Sequence, residues 1–481
     1  MSPRRLSSLA ILPALIFSLP AAASRLPVMA VKRPTAGQWM GLYLLGHKAG
    51  YTFDRVWEER RGGKNVVVAV DDITLRATLG GRDVSRRVRE ERVFEAKAHG
   101  RLIAFSALHE GDGGDETIEG PCDARGMHLV RRRPGGSPER LELPPARETV
   151  EDADLPRLAA ARKTTLSGLL FDSMTLKELP QEATWLGTDE WTAGGSLRRV
   201  ERVALTQSGG TVASKLSIDP ASGRLLRLTF GGSLTAVPES ERVAKTLDSV
   251  DLFALTRVPV DGTLPFGVVP ETVRYRVEGL PPALRPAPER QRYRDLPGGA
   301  VEITVRAAEP DRRAERPERA PMEDLAATPD IESDAPAIRA LARKIAGKEK
   351  DAFTAANLLS SWVFANVRSA YGVSSDRATD VLRRKEGDCT EHSLLTVALC
   401  RAIGIPARLV HGLVYAQGSD EVWGLYWHEW VEVWVSEWIA IDPTFGQPVA
   451  DATHIELGEG EATDAVGLMG QLKISVLRRD P

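Results

Sequence analysis

The chain has 481 residues, which is too long for one ordinary hydrophobic core and predicts two or three domains. Hydrophobic residues make up 42% and charged residues 27% of the sequence, proportions typical of folded globular proteins and not of disordered ones. The formal net charge of -3 leaves no excess of basic residues, so the composition argues against a protein that binds nucleic acid.

Residues 1–23 have the pattern of a secretory signal peptide. Arg4 and Arg5 precede an apolar run at residues 9–17, and a small-residue cleavage signal follows at residues 20–23. About ten apolar residues are too few to span a bilayer, so cleavage is favoured over a membrane anchor. No cysteine stands directly after the apolar run, where a lipoprotein would carry its lipid anchor, which argues against a lipoprotein. The pattern predicts a periplasmic or secreted protein that has no membrane span after signal cleavage.

Exported proteins can form stable disulfide bonds, so the number of cysteines indicates whether such bonds support the fold. The chain has only Cys122, Cys389 and Cys400. Three cysteines do not make a disulfide framework. A helix that begins at Cys389 would place Cys400 about three turns, roughly 16 Å, further along, which is too far for a bond between the two. A bond between Cys122 and Cys400 stays open, although the apolar neighbours of Cys400 favour a buried core thiol.

Residues 24–262 alternate between apolar and polar side chains, with turn residues at short intervals. A hairpin is predicted around residues 46–50, and the glycine pairs at 62–63 and 80–81 are predicted to turn between further strands. This pattern predicts an antiparallel β-rich domain, either a sheet or a half-barrel. Residues 155–179 lack the alternation, and we expect a helix there.

A short internal echo in this region raises the question of two similar β units. Residues 100–103 and 223–226 both read Gly-Arg-Leu followed by Ile or Leu, but a match this short favours two ordinary hairpins. The histidines here are isolated and lack the spacing of a zinc site. We therefore expect a binding, spacer or autoregulatory role for the N-terminal domain, which includes docking of a protein partner.

Residues 263–328 are predicted to connect two domains. Short strands are expected at residues 273–277 and 300–305, and a charged, proline-punctuated segment follows at residues 309–321. Such a composition indicates a solvated linker. We place the domain boundary near this segment and assign residues 329–481 to a C-terminal domain.

The C-terminal domain begins with three predicted helices. The first starts at Pro336 and closes at Gly347, the second runs from Asp351 to about Ala370, and the third lies around residues 378–382. Helical spacing predicts that one face of the second helix meets the core, through Phe353, Leu358, Trp362 and either Ala365 or Phe364.

Cys389 is predicted to begin a fourth helix. Apolar spacing continues to about Ile403, and Gly404 and Pro406 then end the helix. Backbone N–H groups and the helix dipole at an N-terminus favour a thiolate over a thiol, and the same N–H groups can supply part of an oxyanion hole. A capping role for Cys389 is the weaker alternative, because serine or aspartate caps better.

Three strands follow, at residues 408–415, 427–435 and 438–441, and the last one ends at Asp442. A lone histidine at the start of a strand is usually structural. His428, however, has a thiol upstream and a carboxylate one hairpin away, which is the order of a Cys–His–Asp acyl-transfer site. We therefore interpret it as catalytic.

The hairpin between His428 and Asp442 sets a structural requirement for this interpretation. A two-residue loop at Ser436 and Glu437 would turn Asp442 to the face opposite His428. A three-residue loop, or a bulge, would put both side chains on one face. The site therefore requires the second register.

Five of the ten tryptophans lie in this same segment: Trp423, Trp427, Trp430, Trp434 and Trp438. They would suit an aromatic groove for an extended acyl donor, and they would equally suit the covering of a sheet. The sequence does not separate these two interpretations.

Four blocks of the C-terminal domain resemble, in order, the transglutaminase-like superfamily, whose fold is a rearranged relative of the papain architecture. The blocks are residues 387–393, 401–408, 427–433 and 441–444. The likeness covers about residues 329–477, and the chain as a whole resembles exported bacterial members that carry an N-terminal β region. It implies a multidomain protein with an N-terminal antiparallel β-rich domain and a C-terminal α+β, transglutaminase-like (papain-like) domain.

The resemblance also implies roles for three residues. Cys389 would be the nucleophile, His428 the base and later the acid, and Asp442 the group that orients His428. Thiolate attack on a peptide or protein amide would give a thioester, which water hydrolyses or an amine converts to a new amide. Cell-wall peptides are one substrate class that the predicted compartment offers.

No metal or other cofactor is predicted. Animal transglutaminases use calcium, but no loop of this chain has the oxygen-ligand spacing of an EF-hand. One oxyanion donor would be the Cys389 backbone N–H. For the second, the Trp362 indole is a candidate, although core packing is the favoured interpretation of Trp362.

The alternative function is that of a non-enzymatic periplasmic binding or assembly protein that uses the transglutaminase-like domain as an interaction module. The complete set of Cys389, His428 and Asp442 favours the enzyme.

Overall fold

The computed structural model describes residues 30–79, 82–111, 114–193, 196–207, 213–262, 264, 270–286, 289–309, 322–370, 377–418, 420–459 and 467–480. The predicted signal peptide and the predicted turn at residues 80–81 lie outside these residues, as do residues 310–321 of the predicted linker. The chain divides into two compact units. The first comprises Ser8–Ala77 and Val84–Val250, and the second comprises Asp251–Pro481 with Met1–Ser7 and Thr78–Asp83.

The described residues of the first unit form a large antiparallel sheet with two short helices. The elements are β1 (Gln38–Leu44), β2 (His47–Arg61), β3 (Lys64–Leu79), β4 (Arg82–Glu95), β5 (Leu102–Gly111), β6 (Glu116–Pro121), β7 (Met127–Arg132), β8 (Glu139–Leu143), α1 (Leu155–Arg162), β9 (Thr165–Asp172), β10 (Lys177–Ala193), β11 (Ser196–Gln207), β12 (Ser214–Ile218), β13 (Leu225–Phe230), β14 (Leu234–Glu239) and α2 (Glu241–Ala244). The strand order is β8-β7-β6-β5-β4-β3-β2-β1-β14-β13-β12-β11-β10-β9. The predicted β-rich N-terminal region is confirmed.

Two tight turns explain how the first strands reverse. Gly62 and Gly63 both have positive φ, 56° and 81°, which is the conformation that a two-residue type I′ hairpin requires. The first hairpin turns at Leu45 and Gly46, again with positive φ at both residues. The prediction put that turn at residues 46–50, whereas residues 47–50 already belong to β2.

The predicted helix at residues 155–179 is only partly correct. α1 ends at Arg162, where Lys163 takes a left-handed conformation with φ 53°, and β9 starts at Thr165. The continuous apolar run Leu169-Leu170-Phe171 hid the two-residue period of this strand. Such runs do not distinguish a strand from a helix.

The described residues of the second unit mix helices with three small groups of strands. The elements are α3 (Leu252–Thr256), β15 (Val260–Asp261), β16 (Thr272–Glu278), β17 (Gln291–Asp295), β18 (Val301–Arg306), α4 (Pro336–Ala346), α5 (Ala352–Asn366), β19 (Arg368–Ser369), α6 (Ala378–Arg384), β20 (Glu386–Gly387), α7 (Cys389–Ala402), β21 (Ala407–Gln417), β22 (Trp423–Trp434), β23 (Trp438–Ile441), β24 (His454–Glu459) and β25 (Lys473–Asp480). The predicted α+β architecture of the C-terminal domain is confirmed.

The strands upstream of the predicted linker pair with the last strand of the chain. β15, β25, β16, β18 and β17 form one sheet in that order, and β25 runs antiparallel to β16. The described strands before and after the predicted linker therefore belong to the second unit, and the chain divides at Val250–Asp251.

A second sheet, β23-β22-β21-β24, carries the helices on one face. α7 packs against β22 and β21 and is surrounded by α4, α5 and α6. Its side chains from Glu391 to Cys400 are all buried, and the apolar ones share a core with Val431, Val433, Ile439 and Ile441 of the sheet. The start of α7 is thus held in the middle of the domain.

The predicted core face of α5 is correct for Phe353 and in part for Trp362, and wrong for Leu358, Phe364 and Ala365. Leu358 and Phe364 are 42% and 51% exposed, and the residues that meet the core are Ala355, Ala356, Leu359 and Val363. α5 has apolar residues on every side, so spacing alone did not select a face. Trp362 lies partly buried against the core, with the Lys385 ammonium 5.8 Å from the centre of its ring.

Among the described residues, no helix combines the length and the apolar character that crossing a membrane requires.

The first unit buries one guanidinium among three carboxylates. Arg92 pairs with Asp71 at 3.1 Å, Glu90 at 2.5 Å and Glu148 at 3.2 Å, and all four side chains are almost inaccessible. One cation cannot neutralise three anions away from water. Burial, opposed by Arg92 and reinforced by the neighbouring carboxylates, raises the pKa of Asp71 to about 8 and that of Glu148 to about 7.

The raised pKa predicts a pH-dependent effect of Asp71→Asn on stability. Between the unfolded pKa of about 4 and the folded pKa the native state holds an extra proton, so this group's contribution to stability is lost as pH rises towards 8. We expect urea unfolding of the full chain to show little change at pH 5 and stabilisation by about 1–3 kcal/mol at pH 9. Asp72→Asn is the matched control. Asp72 accepts two hydrogen bonds from Arg87, at 2.8 and 2.6 Å, so its loss should destabilise at both pH values. Equal effects of Asp71→Asn at pH 5 and pH 9 would contradict this assignment.

Candidate active site

The hairpin between β22 and β23 has the register that the sequence hypothesis required. Trp434 pairs with Trp438 and Val431 with Ile441, so residues 435–437 form a three-residue loop. Ser436 takes a positive φ of 89° in this loop. Continuing the pairing by one residue brings Asp442 level with Trp430, on the face that also carries His428.

His428 and Asp442 form a fully buried hydrogen-bonded pair. The distance between His428 Nε2 and Asp442 Oδ2 is 2.8 Å, and neither side chain is exposed. Burial alone would raise the pKa of Asp442, but the charges and hydrogen bonds of His428 and His454 hold that pKa well below its ordinary value. An ionised carboxylate only accepts, so the shared proton lies on Nε2 and the lone pair of a neutral His428 lies on Nδ1.

The sequence Asp442-Pro443-Thr444 fixes the other carboxylate oxygen. Asp442 Oδ1 accepts from the backbone N–H of Thr444 at 2.7 Å and from that of Phe445 at 3.1 Å. Pro443 has no N–H, so the turn directs the next two donors back to the aspartate. With Oδ1 held in this way, Oδ2 is aimed at the histidine.

Cys389 is the first residue of α7 and is buried. The N-cap is Asp388, whose Oδ1 accepts from Thr390 N at 3.0 Å, while Glu391 Oε2 accepts from Asp388 N at 2.8 Å. This capping box engages the N–H groups on both sides of Cys389. A side chain at Gly387 would bring its Cβ within 2.2 Å of Glu391 Cβ, so the box requires glycine at position 387.

Two hydrogen bonds hold the first turns of α7 in place. Ser393 Oγ, one turn beyond Cys389, donates to the Glu429 carbonyl at 3.1 Å, beside His428 in β22. His392 Nε2 lies 3.0 Å from the Val367 carbonyl at the end of α5. The N-terminal part of α7 is thereby fixed against the strand that carries His428.

The structure adds a second histidine that the sequence analysis missed. His454 Nε2 lies 3.1 Å from Asp442 Oδ2, and His454 Nδ1 lies 3.2 Å from Asp451 Oδ1. Its side chain is fully buried. One feature could have indicated His454: it lies twelve residues after Asp442 and begins a strand, the position that the sequence analysis predicted for His428.

Aromatic rings enclose the two histidines. Phe445 stacks on His428 with 4.8 Å between ring centres, and Trp430 meets His454 edge-on at 5.2 Å. Gly412 provides the room, since a Cβ there would lie 2.9 Å from the Trp430 ring. Trp434 and Trp438 instead form an edge-to-face pair with each other. Among the five clustered tryptophans, Trp430 therefore walls the site, while Trp434 and Trp438 pair with each other.

The other two cysteines are buried thiols. Neither Cys122 nor Cys400 is part of a disulfide bond, so the pairing of these two residues that the sequence left open is not formed. Burial raises the pKa of both Cys122 and Cys400 to about 12. These two thiols are therefore poorly suited to react as thiolates.

His428, Asp442 and His454 also bring two ring nitrogens and a carboxylate oxygen within 4.8 Å of one another, a donor set that could hold a metal ion. Each contact is already satisfied as a hydrogen bond from an imidazole N–H to the carboxylate. An ion would require the loss of both N–H donors. The arrangement fits a hydrogen-bonded network better than a metal centre, and a cofactor-free site stays our prediction.

Comparison with known proteins agrees with the fold of the second unit. The family model described as "Transglutaminase-like superfamily" matches residues 339–443. An uncharacterized protein of Haemophilus influenzae is 34% identical over 110 residues, which are 22% of this chain and 29% of that protein. An uncharacterized protein of Mycobacterium leprae is 31% identical over 96 residues, which are 19% of this chain and 34% of that protein. The chain thus spans about a third or less of the length of these relatives.

Two solved structures are similar over nearly half of the chain. The periplasmic domain of TgpA from Pseudomonas aeruginosa, bound to ethylmercury, is 18% identical, with 45% of this chain and 81% of that one covered at a TM-score of 0.25. A β-barrel-like protein of a domain of unknown function, DUF1849, from Brucella abortus is 9% identical, with 42% and 96% covered at a TM-score of 0.30.

The contact between α7 and β22 predicts different effects for two buried hydroxyls. Ser393→Ala removes the bond to Glu429, whereas Thr396→Val removes a bond of 2.8 Å that stays within α7, to the His392 carbonyl. Each loss should cost about 1 kcal/mol in urea unfolding. Only Ser393→Ala should also slow alkylation of Cys389 by iodoacetamide, because it loosens the helix against the His428 strand. Equal alkylation rates in the two variants would contradict this role.

Proposed function

We propose that this chain, whose residues 339–443 form a domain of the transglutaminase-like superfamily, is a cysteine acyltransferase or amidohydrolase that acts on peptide or protein amides. Cys389 is the nucleophile, His428 the general base and acid, and Asp442 the residue that orients His428. The reaction passes through a thioester on Cys389.

The observation that carries this proposal is the buried pair of His428 and Asp442 beside the helix that begins at Cys389. A buried imidazole–carboxylate pair on a strand, next to a thiol at a helix N-terminus, is the arrangement that activates a cysteine. A histidine with only a structural role would not need a partner such as Asp442, whose pKa is lowered and whose two carboxylate oxygens both accept hydrogen bonds.

In the acylation step, the Cys389 thiolate attacks the carbonyl carbon of the amide and forms the C–S bond. The carbonyl oxygen becomes an oxyanion, which the backbone N–H at the start of α7 is suited to stabilise. When the intermediate collapses, the C–N bond breaks and the leaving nitrogen takes the proton from His428 Nδ1. The products of this step are a thioester and a free amine or ammonia.

Deacylation reverses the proton transfer. Water or a second amine attacks the thioester carbonyl, His428 Nδ1 accepts its proton, and the C–S bond breaks to return the thiolate. Water gives a carboxylic acid, and an amine gives a new amide. Asp442 accepts the hydrogen bond from His428 Nε2 throughout and stabilises the imidazolium that forms in each step.

The outcome of the reaction defines the subclass, and mass spectrometry of products distinguishes the outcomes. Full-length protein is incubated with cell-wall peptides or with a glutamine-containing protein, with and without added amine. Deamidated, cross-linked and backbone-cleaved products identify an amidohydrolase, a transglutaminase and a peptidase respectively. No product in any reaction would overturn the enzyme proposal in favour of a binding module, and the same products from Cys389→Ala would overturn the role of Cys389 as nucleophile.

We expect selective labelling of Cys389 by a thiol-reactive amide probe to depend on the histidine of the proposed triad. His428→Gln removes the base and should reduce labelling by about 100-fold, the contribution of a positioned base. His411→Gln is the matched control, a buried histidine on the neighbouring strand β21. The readout is mass spectrometry of the peptide that contains Cys389. Labelling that is indifferent to His428→Gln would support the binding protein instead.

The pH dependence of Cys389 alkylation tests the thiolate–imidazolium pair itself. A free thiol loses reactivity as pH falls through about 8.5, because the thiolate fraction declines. With His428 as proton acceptor, alkylation by iodoacetamide should stay fast at pH 6.5 and decline only at lower pH. Cys122 and Cys400, followed in the same digests, provide internal controls of the opposite behaviour. A Cys389 profile centred near 8.5 would exclude the pairing.

A further inference from the structure

His454 is held between two carboxylates and away from solvent. Its Nε2 contacts Asp442 Oδ2 at 3.1 Å and its Nδ1 contacts Asp451 Oδ1 at 3.2 Å. Ionised carboxylates only accept hydrogen bonds, so both ring nitrogens must carry protons to satisfy both contacts. The geometry therefore describes a buried imidazolium.

Hydrogen bonds within the segment from Asp442 to His454 fold it back, so that the His454 ring contacts the Asp442 carboxylate. Asp442 and Gln447 exchange two backbone hydrogen bonds, at 3.0 and 2.9 Å. The Gln447 side chain then donates to Asp451 Oδ2 at 2.9 Å and accepts from Asp451 N at 3.1 Å. Thr453 donates its backbone N–H and its hydroxyl to Asp451 Oδ1, and His454 follows directly in β24. A chain of hydrogen bonds thus closes on the carboxylate that also serves His428.

The charges along this chain alternate. Burial lowers the pKa of His454, but its hydrogen bonds and charge interactions with Asp442 and Asp451 outweigh burial and raise it. For Asp451, burial raises the pKa, and the interactions with His454 and Thr453 overcome it and lower the value. Without the cation, Asp442 and Asp451 would be two buried anions with no shared counter-charge, and a carboxyl in that position takes up a proton.

We propose that His454 is a positioning residue for the acyl-transfer site: its imidazolium, held by Asp451, keeps Asp442 ionised and aims Oδ2 at His428. This inference rests on the proposed function. His454 does not touch the reacting atoms and acts through Asp442. The site then consists of a reacting pair, Cys389 and His428, supported by a three-residue chain of alternating charge.

The charged groups around this chain do not replace the cation. The hydrogen bond from Arg290 Nη2 to Asp451 goes to the backbone carbonyl and not to the carboxylate. The charge of Arg290 interacts with the buried carboxylates of Glu456, Glu432 and Asp451, and these three anions together exceed its single charge. The Tyr275 phenol also lies near Asp451, and burial raises its pKa, so it stays neutral. Among the described residues, the charges that act most strongly on Asp442 are those of His428 and His454. Trp430 and Phe445, which pack against His454, are uncharged.

The test is a double-mutant cycle in the full-length protein, with the rate of Cys389 alkylation by iodoacetamide followed between pH 5 and pH 9. His454→Gln keeps a donor but removes the charge, so Asp442 is left beside an uncompensated Asp451. We expect the midpoint of the acid limb of the profile to move to higher pH by about one unit. At a given pH on that limb, the alkylation rate then falls roughly tenfold. Asp451→Asn removes the competing anion. It should change the alkylation rate by less than about threefold, which is a smaller effect than that of His454→Gln.

The double variant separates a charge effect from simple damage to the fold. His454→Gln/Asp451→Asn removes both outer charges and leaves Asp442 paired with His428 alone, so it should recover about half or more of the logarithmic loss seen in His454→Gln. A structural role would make the double variant as slow as His454→Gln or slower, and that result would overturn the proposal. An unchanged profile for His454→Gln would also overturn it.

The wild-type profile distinguishes this failure from failure of the proposed function. A wild-type profile centred on the free-thiol pKa would overturn the function, whereas an activated wild type with an unresponsive His454→Gln would overturn only the role of His454. Should His454→Gln not fold by circular dichroism, neutron diffraction of wild-type crystals decides the matter. Deuterium on both ring nitrogens of His454 is expected, and deuterium on only one would refute the imidazolium.

Discussion

The Asp442 carboxylate is the point on which the arrangement of the second unit depends. It accepts four hydrogen bonds without solvent access: Thr444 N and Phe445 N on Oδ1, and His428 Nε2 and His454 Nε2 on Oδ2. Burying an anion costs free energy unless hydrogen-bond donors surround it. The fold must therefore form three features together: the three-residue loop of the β22–β23 hairpin, the turn at Pro443, and the return of the chain that brings His454 to Asp442. The same set of contacts that stabilises the carboxylate also orients His428. Structural stability and the proposed chemistry therefore make the same demand on these residues.

The helix that starts at Cys389 and the strand that carries His428 could be predicted because local rules determine them. The box formed by Asp388 and Glu391, together with the glycine and proline after Ile403, sets both ends of α7. Alternation along β22 sets the face of His428. The relation between His428 and Asp442 could only be stated as a condition. It depends on whether Ser436 adopts a positive φ in a three-residue loop, and that choice is made by the packing of Val431, Val433, Ile439 and Ile441 against α7.

What the sequence did not reveal depends on long-range packing. His454 is brought to Asp442 by hydrogen bonds of Gln447 and Asp451, side chains that read locally as an ordinary polar loop. The core face of α5 was predicted only in part because the helix has apolar residues on every side, and the position of α7 selects Leu359 and Val363 over Leu358. In the first unit, Asp71, Glu90 and Arg92 are charged residues of β3 and β4, yet their side chains meet in the interior. The charge pattern along one strand does not reveal this cluster, because Asp71 comes from β3, Glu90 and Arg92 from β4, and Glu148 from the segment after β8.

The central claim is that Cys389 forms an acyl-thioester, and acid-quenched mass spectrometry of the full-length protein tests it most directly. After brief incubation with peptide amides, the account predicts a mass increase equal to the acyl group on the peptide that contains Cys389. Hydroxylamine should release that adduct, which should be absent from Cys389→Ser and from His428→Gln. Substrate turnover without any hydroxylamine-sensitive adduct on Cys389, or turnover by the Cys389→Ser protein, would contradict the account.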